Sequence, residues 1–208
     1  MLKCINRAPA WAHASALGDL AFAAAAATAS GRWEGEPDRP DYVAIRPLYT
    51  RTGNPQVYAA LMRAARRARS RIWIENPYLY ENSFVRALVA ARRRGVDVRV
   101  VLPSDSDLGL GDASNMVTAN ALLANGVRVY VYPGMTHVKA AVFDGWACLG
   151  SANFNKLSLR RNLETNIATS DPRVVGELVR ELFERDFADS LELTEPVATT
   201  GNDRFAEW

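Results

Sequence analysis

Between Arg71 and Tyr132, short β-branched runs alternate with longer stretches whose apolar residues recur every three or four positions. The runs predict strands over 71–75, 96–102 and 127–132, each a nearly continuous apolar segment. Between them the spacing predicts a helix over 83–94, with Ser83 a candidate cap and Gly95 a left-handed stop. A second helix is predicted over 113–124, with Gly126 just past its end. An earlier helix, over 55–69, carries Val57, Leu61, Ala64 and Ala68 on one stripe, with Asn54-Pro55 as cap and first-turn proline. This βαβαβ alternation predicts an α/β fold with a mixed, mostly parallel sheet flanked by helices.

After Tyr132 the pattern changes. Residues 136–143 and 146–149, joined by Asp144-Gly145, read as a hairpin. Residues 162–169 read as a further strand. Asp171-Pro172 opens a last helix over 173–189, with Val175, Leu178, Val179, Leu182 and Phe183 on its apolar stripe and Glu181–Arg185 as an i,i+4 ion pair. On the N-terminal side, residues 30–56 have the composition of a linker, with Pro37, Pro40, Pro47 and Pro55 and one short strand over 42–45. The expected division is an Ala-rich helix and linker over 1–40, one α/β domain over 41–194 and a polar tail over 195–208.

Composition narrows the function classes. With 208 residues, 49% of them apolar, the chain needs no disulfide or metal staple to build a core. A net charge of +2 excludes a strongly basic nucleic-acid coat or an acidic disordered tail as the whole account. Cys4 and Cys148 are too few for a disulfide framework, and Cys148 reads as a small buried hydrophobe. Lys3 and Arg7 before the Ala-rich run 16–29 loosely imitate a secretory signal, but Asp19 interrupts the run. The run is too short and polar to span a membrane, and a soluble helix is the expected form. The expected location is cytoplasmic or peripheral at the inner membrane. The arginine runs over 63–71 and 92–94 read as solvated helix faces rather than partner sites.

The candidate chemistry lies after the strand–helix series. In a strand, alternate residues share a face, so His137 and Lys139 are expected to project together while Val138, Ala140 and Val142 face the other way. Ser151 and Asn153 follow the hairpin and are expected beside that pair. An imidazole, an ammonium, a hydroxyl and a carboxamide converging on one spot suit a phosphoryl group: the imidazole as nucleophile or as acid/base, the others on the non-bridging oxygens. Tyr78, Tyr80 and Asp107 follow strand ends, where open α/β sheets place ligands, and are candidate lining residues.

In His137, Lys139, Asp144, Gly150, Ser151 and Asn153 the chain resembles the phospholipase D superfamily, whose signature is H-x-K-x4-D followed by G-S-x-N. The segments Ile74-Glu75-Asn76-Pro77-Tyr78, Arg94-Gly95-Val96-Asp97-Val98-Arg99 and Asn162-Leu163-Glu164 are similar to its bacterial cardiolipin synthase and phospholipase D branch. The spacer between Asp144 and Gly150 is one residue shorter than is usual there. The resemblance implies a phospholipase D-like fold with a single H-x-K-x4-D domain and a metal-independent, cofactor-free displacement through a phosphohistidine on His137. It also implies that Glu164 orients that histidine and that Asp144 serves more as an anchor than as a reacting group.

The same resemblance calls for a second histidine, to protonate the leaving alkoxide. His13, the other histidine of the chain, has no lysine two residues on and no G-S-x-N after it. Either a missing N-terminal half or a second copy of the chain would supply the second motif. Gly18-Asp19-Leu20-Ala21 echoes Gly176-Glu177-Leu178-Val179 of the last helix, which favours the missing half. The expected function is phosphatidyl transfer or phospholipid hydrolysis of the cardiolipin synthase type, with peripheral membrane contact. The alternatives are a homodimeric phosphodiesterase or nuclease, with nucleic acid ranked behind lipid, and a catalytically inactive half-domain.

Overall fold

A computed structural model describes residues 44–105 and 109–198, with residues 109–112 described as backbone only. The Ala-rich segment, His13, Cys4, the expected strand residues 42–43, Asp107 and the end of the polar tail lie outside the described residues. The chain forms strands β1 (Arg46–Arg51) and β2 (Asn54–Pro55), helix α1 (Gln56–Arg67), β3 (Arg71–Glu75), α2 (Asn82–Arg93) and β4 (Asp97–Pro103). Helix α3 (Gly109–Leu123), β5 (Arg128–Tyr132), β6 (Ala140–Phe143), β7 (Trp146–Gly150), α4 (Lys156–Arg160) and β8 (Glu164–Thr169) follow. The last helix is α5 (Pro172–Glu177), a π-helical segment (Leu178–Glu184) and α6 (Arg185–Asp189), before the short β9 (Leu191–Glu192).

The strands make one sheet in the order β2-β1-β8-β7-β6-β3-β4-β5-β9. It is mixed, as expected, but not mostly parallel. Among the described residues only β3–β4 and β4–β5 pair in parallel, and the other six pairings are antiparallel. The reason is the connection over 133–139. Parallel return needs a crossover of about a dozen residues, usually a helix. This connection has no helix, so the chain crosses the ends of β4 and β3 and comes back as β6, antiparallel to β3. The expected strand over 136–143 therefore begins only at Ala140.

Other local signals were displaced by up to four residues. Next to the linker the described strand is Arg46–Arg51, because it pairs with β8, Thr50 standing opposite Glu164, while residues 44–45 of the expected strand lie outside it. Pro55 occupies the cap position of α1 without a side-chain cap, Asn54 being drawn into β2. The buried face of α1 includes Val57, Leu61, Ala65 and Ala68, with Ala64 off it. Helix α2 is capped by Glu81, not Ser83: the Glu81 carboxylate accepts Phe84 N–H at 2.7 Å and also pairs with Arg160 at 2.8 Å. Arg160 lies 4.1 Å over the Tyr58 ring, tying α4 to α1 and α2. Asp171 and Pro172 open the last helix as expected. Its π-helical register breaks the four-residue spacing, and Arg185 pairs with Asp189 rather than Glu181.

Two faces of the sheet are covered. On one, Trp73, Val138, Ala140, Val142 and Ala147 pack against Val175, Val179, Phe183 and Phe187 of the last helix. Trp73 meets Phe187 edge-on at 5.2 Å between ring centres, and Arg99 lies 4.9 Å over it. Ile72 and Ile74, fully buried on the opposite parity of β3, face the layer of α1 to α4. The arginines of 92–94 turn out to be partly structural. Arg94 donates to Ala65 O and Ala68 O at the end of α1, Arg92 to Gly126 O and Arg93 to Asn125.

The hairpin turn is an anchor. Asp144 adopts φ 52°, and its carboxylate accepts the N–H groups of Arg69, Ser70 and Arg71 and the Ser70 hydroxyl, each at 2.9 Å. Burial works against the charged form, but these donors, Arg71 foremost, hold its pKa below the ordinary value. Asp144→Ala removes the two oxygens that accept these four bonds and places alanine in the left-handed region. We expect a loss of about 2–3 kcal/mol in denaturant unfolding at pH 7. Asp144→Asn, which tolerates that backbone and keeps an acceptor, loses less. Because the folded-state pKa is depressed, this contribution is present above the ordinary carboxylate value and is lost as pH falls through the folded one. The gap between wild type and Asp144→Ala therefore narrows in acid.

Candidate active site

The ends of β3, β5, β6, β7 and β8 that meet at the 133–139 connection define one edge of the sheet, the edge where open α/β sheets place ligands. The end of β4 is tied to the start of the connection, Gly134 N–H reaching Ser104 Oγ at 2.8 Å. The segment then alternates although it is not a strand. Thr136 is buried and donates its hydroxyl to Glu75 Oε1, and Val138 packs with the last helix. His137 is exposed between them. Lys139 is only 8% exposed, and its Nζ donates to His137 O at 3.1 Å. The parity expected of His137 and Lys139 thus holds, but the two differ sharply in burial.

Lys139 O accepts Gly150 N–H at 3.1 Å, which brings the loop over 150–153 against the lysine. Ala140 stands opposite Leu149 in register, so the shorter spacer is absorbed in the two-residue turn without a slip. A Cβ on Gly150 would lie 2.5 Å from Asn166 Cα and Thr165 O, so only glycine lets β7 run this close to β8. Ser151 N–H then bonds Thr165 O, and its hydroxyl donates to Glu164 Oε2 at 2.5 Å while accepting Thr165 N–H at 3.0 Å. Asn153 Oδ1 is buried with no hydrogen-bond partner among the described residues. Glu164 therefore holds the Ser151 hydroxyl in this structure rather than the imidazole.

Two asparagines that sequence reasoning missed as site residues bracket the loop. Asn76, fully buried after β3, donates to Ala152 O at 3.3 Å and accepts Phe154 N–H at 3.0 Å. Asn166, fully buried in β8, accepts Ala152 N–H at 3.2 Å. An asparagine inside an apolar strand pattern was the one signal available, since a buried carboxamide demands partners. Asn166 also meets the Cys148 sulfur at 3.6 Å, and burial pushes that thiol up to about 12, leaving it inert.

The remaining candidates fall in different places. Tyr78 is buried and meets Tyr80 edge-on at 6.5 Å, and Tyr80 N–H donates to Phe154 O, so both sit next to the loop. Burial raises the Tyr80 phenol above its ordinary value. Asp107 is outside the described residues. Asp144, grouped with the catalytic residues by its motif, is not brought to this edge: it closes the opposite end of β6, next to the start of β3. An open cleft of about 750 Å³ lined by Arg66, Arg67, Arg69 and Arg94 also lies at that far end and is no part of the site. Among the described residues no group of three His, Cys, Asp or Glu could hold a metal ion, and no helix is long and apolar enough to cross a membrane.

Comparison with known proteins places this geometry in a family. The model of the family described as cardiolipin synthase, PLD-like domain, matches residues 61–187. Cardiolipin synthase A of Pseudomonas aeruginosa is 39% identical over 130 residues, covering 61% of this chain and 26% of the relative. Cardiolipin synthase A of Pseudomonas entomophila is 34% identical over 157 residues, covering 73% and 33%. The chain thus spans about a quarter to a third of the length of these relatives. Among solved structures, Nuc of Salmonella typhimurium, a phospholipase D family member, superposes with a TM-score of 0.64 at 19% identity, covering 73% of this chain and 99% of Nuc. Phosphatidylserine synthase of Haemophilus influenzae gives 0.61 at 14% identity, covering 90% and 48%.

Proposed function

This chain belongs to the cardiolipin synthase, PLD-like domain family, and on that premise we propose that it carries one half of a phosphatidyl-transfer or phospholipid-hydrolysing site. In this reading His137 attacks phosphorus and the alkoxide leaves, giving a phosphohistidine that water or an acceptor alcohol then resolves. The phosphoryl oxygens are held by Lys139, Asn153 and Ser151. Glu164 works through Ser151, whose hydroxyl it already holds. The observation that carries the reading is the bond from Gly150 N–H to Lys139 O, which sets the loop bearing Ser151 and Asn153 against the buried lysine. An ammonium with 8% exposure has little competition from water, so an anionic ligand there is strongly favoured.

Protonation of an alkoxide leaving group falls to a second histidine, from another part of a longer protein or from a second chain. Incubating the protein with phosphatidylglycerol vesicles and, separately, with single-stranded DNA tests the substrate class. Cardiolipin or phosphatidic acid as product supports the lipid reading, and DNA cleavage without lipid turnover overturns it.

The rim of the site favours lipid. Leu163, next to Glu164, is 86% exposed and Leu157 is 58% exposed, with Lys156 and Arg161 also exposed beside them. Met135, two residues before His137, is exposed too. Apolar tips with cations beside them suit an anionic bilayer surface. We expect Leu157→Ser with Leu163→Ser to weaken sedimentation with phosphatidylglycerol vesicles about tenfold, from the apolar area no longer inserted. Arg66→Gln with Arg67→Gln, at the far end of the sheet, leaves vesicle binding within about twofold of wild type.

A further inference from the structure

Behind the His137–Lys139 segment lie two carboxyl groups for which the chemistry above has no use. Glu75 ends β3 on the same face as Trp73, and none of its surface is exposed. Its Oε1 accepts the Thr136 hydroxyl, while Oε2 has no partner in hydrogen-bond geometry among the described residues. Asp186, on α6, faces this carboxyl across the sheet–helix interface. The last helix is held on the sheet there by edge-on contacts of Phe183 and Phe187 with Trp73.

The register partners of Glu75 are apolar, and the next strand, β5, places the buried phenol Tyr130 on the same face. Ala140 of β6 and Val101 of β4 are its register partners. On β4 the nearest charges, Arg99 and Asp97, pair with each other at 2.9 Å toward the other end of the strand. Lys139 precedes Ala140 on the opposite parity. On the last helix Arg180, Glu181, Glu184, Arg185 and Asp189 are exposed, and Asp186 alone faces Glu75.

We propose that Glu75 and Asp186 hold one proton between them at neutral pH, and that this pair, through Thr136, positions His137 and Lys139 for phosphoryl chemistry. A fully buried carboxylate that faces a second one is costly to keep charged. One proton removes the repulsion and turns the unpartnered Oε2 into a donor toward Asp186. Burial first, and then Asp186, raise the Glu75 pKa to about 8, with the Thr136 hydroxyl working the other way. Once the proton is lost, repulsion is relieved where the structure yields most easily. Asp186 lies two residues after the π-helical segment, where a helix can shift register. Thr136 lies on a connection without a backbone ladder. Glu75 is thus a positioning residue that acts from behind the segment. The proposal rests on the phosphoryl-site reading for its functional consequence, but the shared proton does not.

The sign of the linkage is fixed. A carboxyl whose folded pKa is raised binds an extra proton in the native state, so stability falls as pH rises from about 4.5 to about 8 and then levels. Thermal melting of wild type should show this fall, and Glu75→Gln, which keeps the acceptor for Thr136 but cannot ionise, should not. The functional arm uses inorganic phosphate, read through the His137 imidazole proton resonances. The chain has two histidines, and His137→Ala assigns the signal. Phosphate affinity should drop roughly tenfold between pH 7.5 and 9 in wild type and stay flat in Glu75→Gln. Asp186→Asn, whose amide can donate to an ionised Glu75, should be flat as well, and it serves if the glutamine variant does not fold. A wild-type melting temperature level from pH 5 to 8.5, or an affinity drop that persists in both variants, overturns the proposal. Phosphate that leaves the His137 signal unmoved at pH 7.5 refutes the phosphoryl-site reading instead, and the melting arm still decides the shared proton.

Discussion

With His137→Ala, bis(p-nitrophenyl) phosphate will give no burst of nitrophenolate and the protein will acquire no acid-labile phosphate. Wild type should release up to one nitrophenolate per site and keep the nitrophenyl phosphate on His137. This substrate is chosen for its leaving group. Nitrophenolate departs without a proton, so the step does not need a second histidine and reports the nucleophile alone. Removing a nucleophile costs on the order of 10⁴-fold or more in rate. Lys139→Met should slow the burst by about 10³-fold, since a buried ammonium on the phosphoryl oxygens stabilises the charge that develops there. Persistence of the labelled intermediate in His137→Ala would refute the assignment. Loss of the burst in wild type as well would show that a second motif is needed even for the first step.

The largest effect on stability is expected from one added methyl group. Gly150→Ala sets a Cβ 2.5 Å from the backbone of Thr165 and Asn166, and neither contact is the far end of a flexible side chain. Strands β7 and β8 must separate, which strains Ser151 N–H to Thr165 O and Ala152 N–H to Asn166. Overpacking against backbone with partial loss of two buried bonds comes to about 3 kcal/mol. For a chain of this length that is a fall of roughly 9 °C in melting temperature. The variant should also lose phosphate binding, because Ser151 and Asn153 move with the loop. A melting temperature within about 2 °C of wild type would mean that the strands part more easily than the geometry implies.

The comparison of pattern with fold is instructive at particular residues. Strand β3 over Arg71–Glu75 and the stripe of Val175, Val179 and Phe183 were legible because both are local apolar periodicities. The site was legible as a set of residue types at fixed spacings, down to the parity of His137 and Lys139. The cap of α2 was not, because Glu81 competes with Ser83 only once Arg160, 79 residues away, is beside it. The anchor role of Asp144 was expected from the resemblance, but its place was not: its donors, Arg69 to Arg71, put it at the other end of the sheet from the other motif residues.

Taken alone, the sequence determined the alternation of elements, the family resemblance and the residue types and spacings of the candidate site. These are properties of neighbours in the chain: propensity, period and spacing. Only the tertiary structure decided the direction of the strands, because that depends on the 133–139 connection crossing the sheet edge instead of forming a helix. It alone buried Lys139 while leaving His137 exposed, set Asn76 and Asn166 around the loop, and put Glu75 behind Thr136. Each of those relations is a hydrogen bond or a packing contact between residues far apart in the chain. Their worth comes from exclusion of water, which no local pattern records.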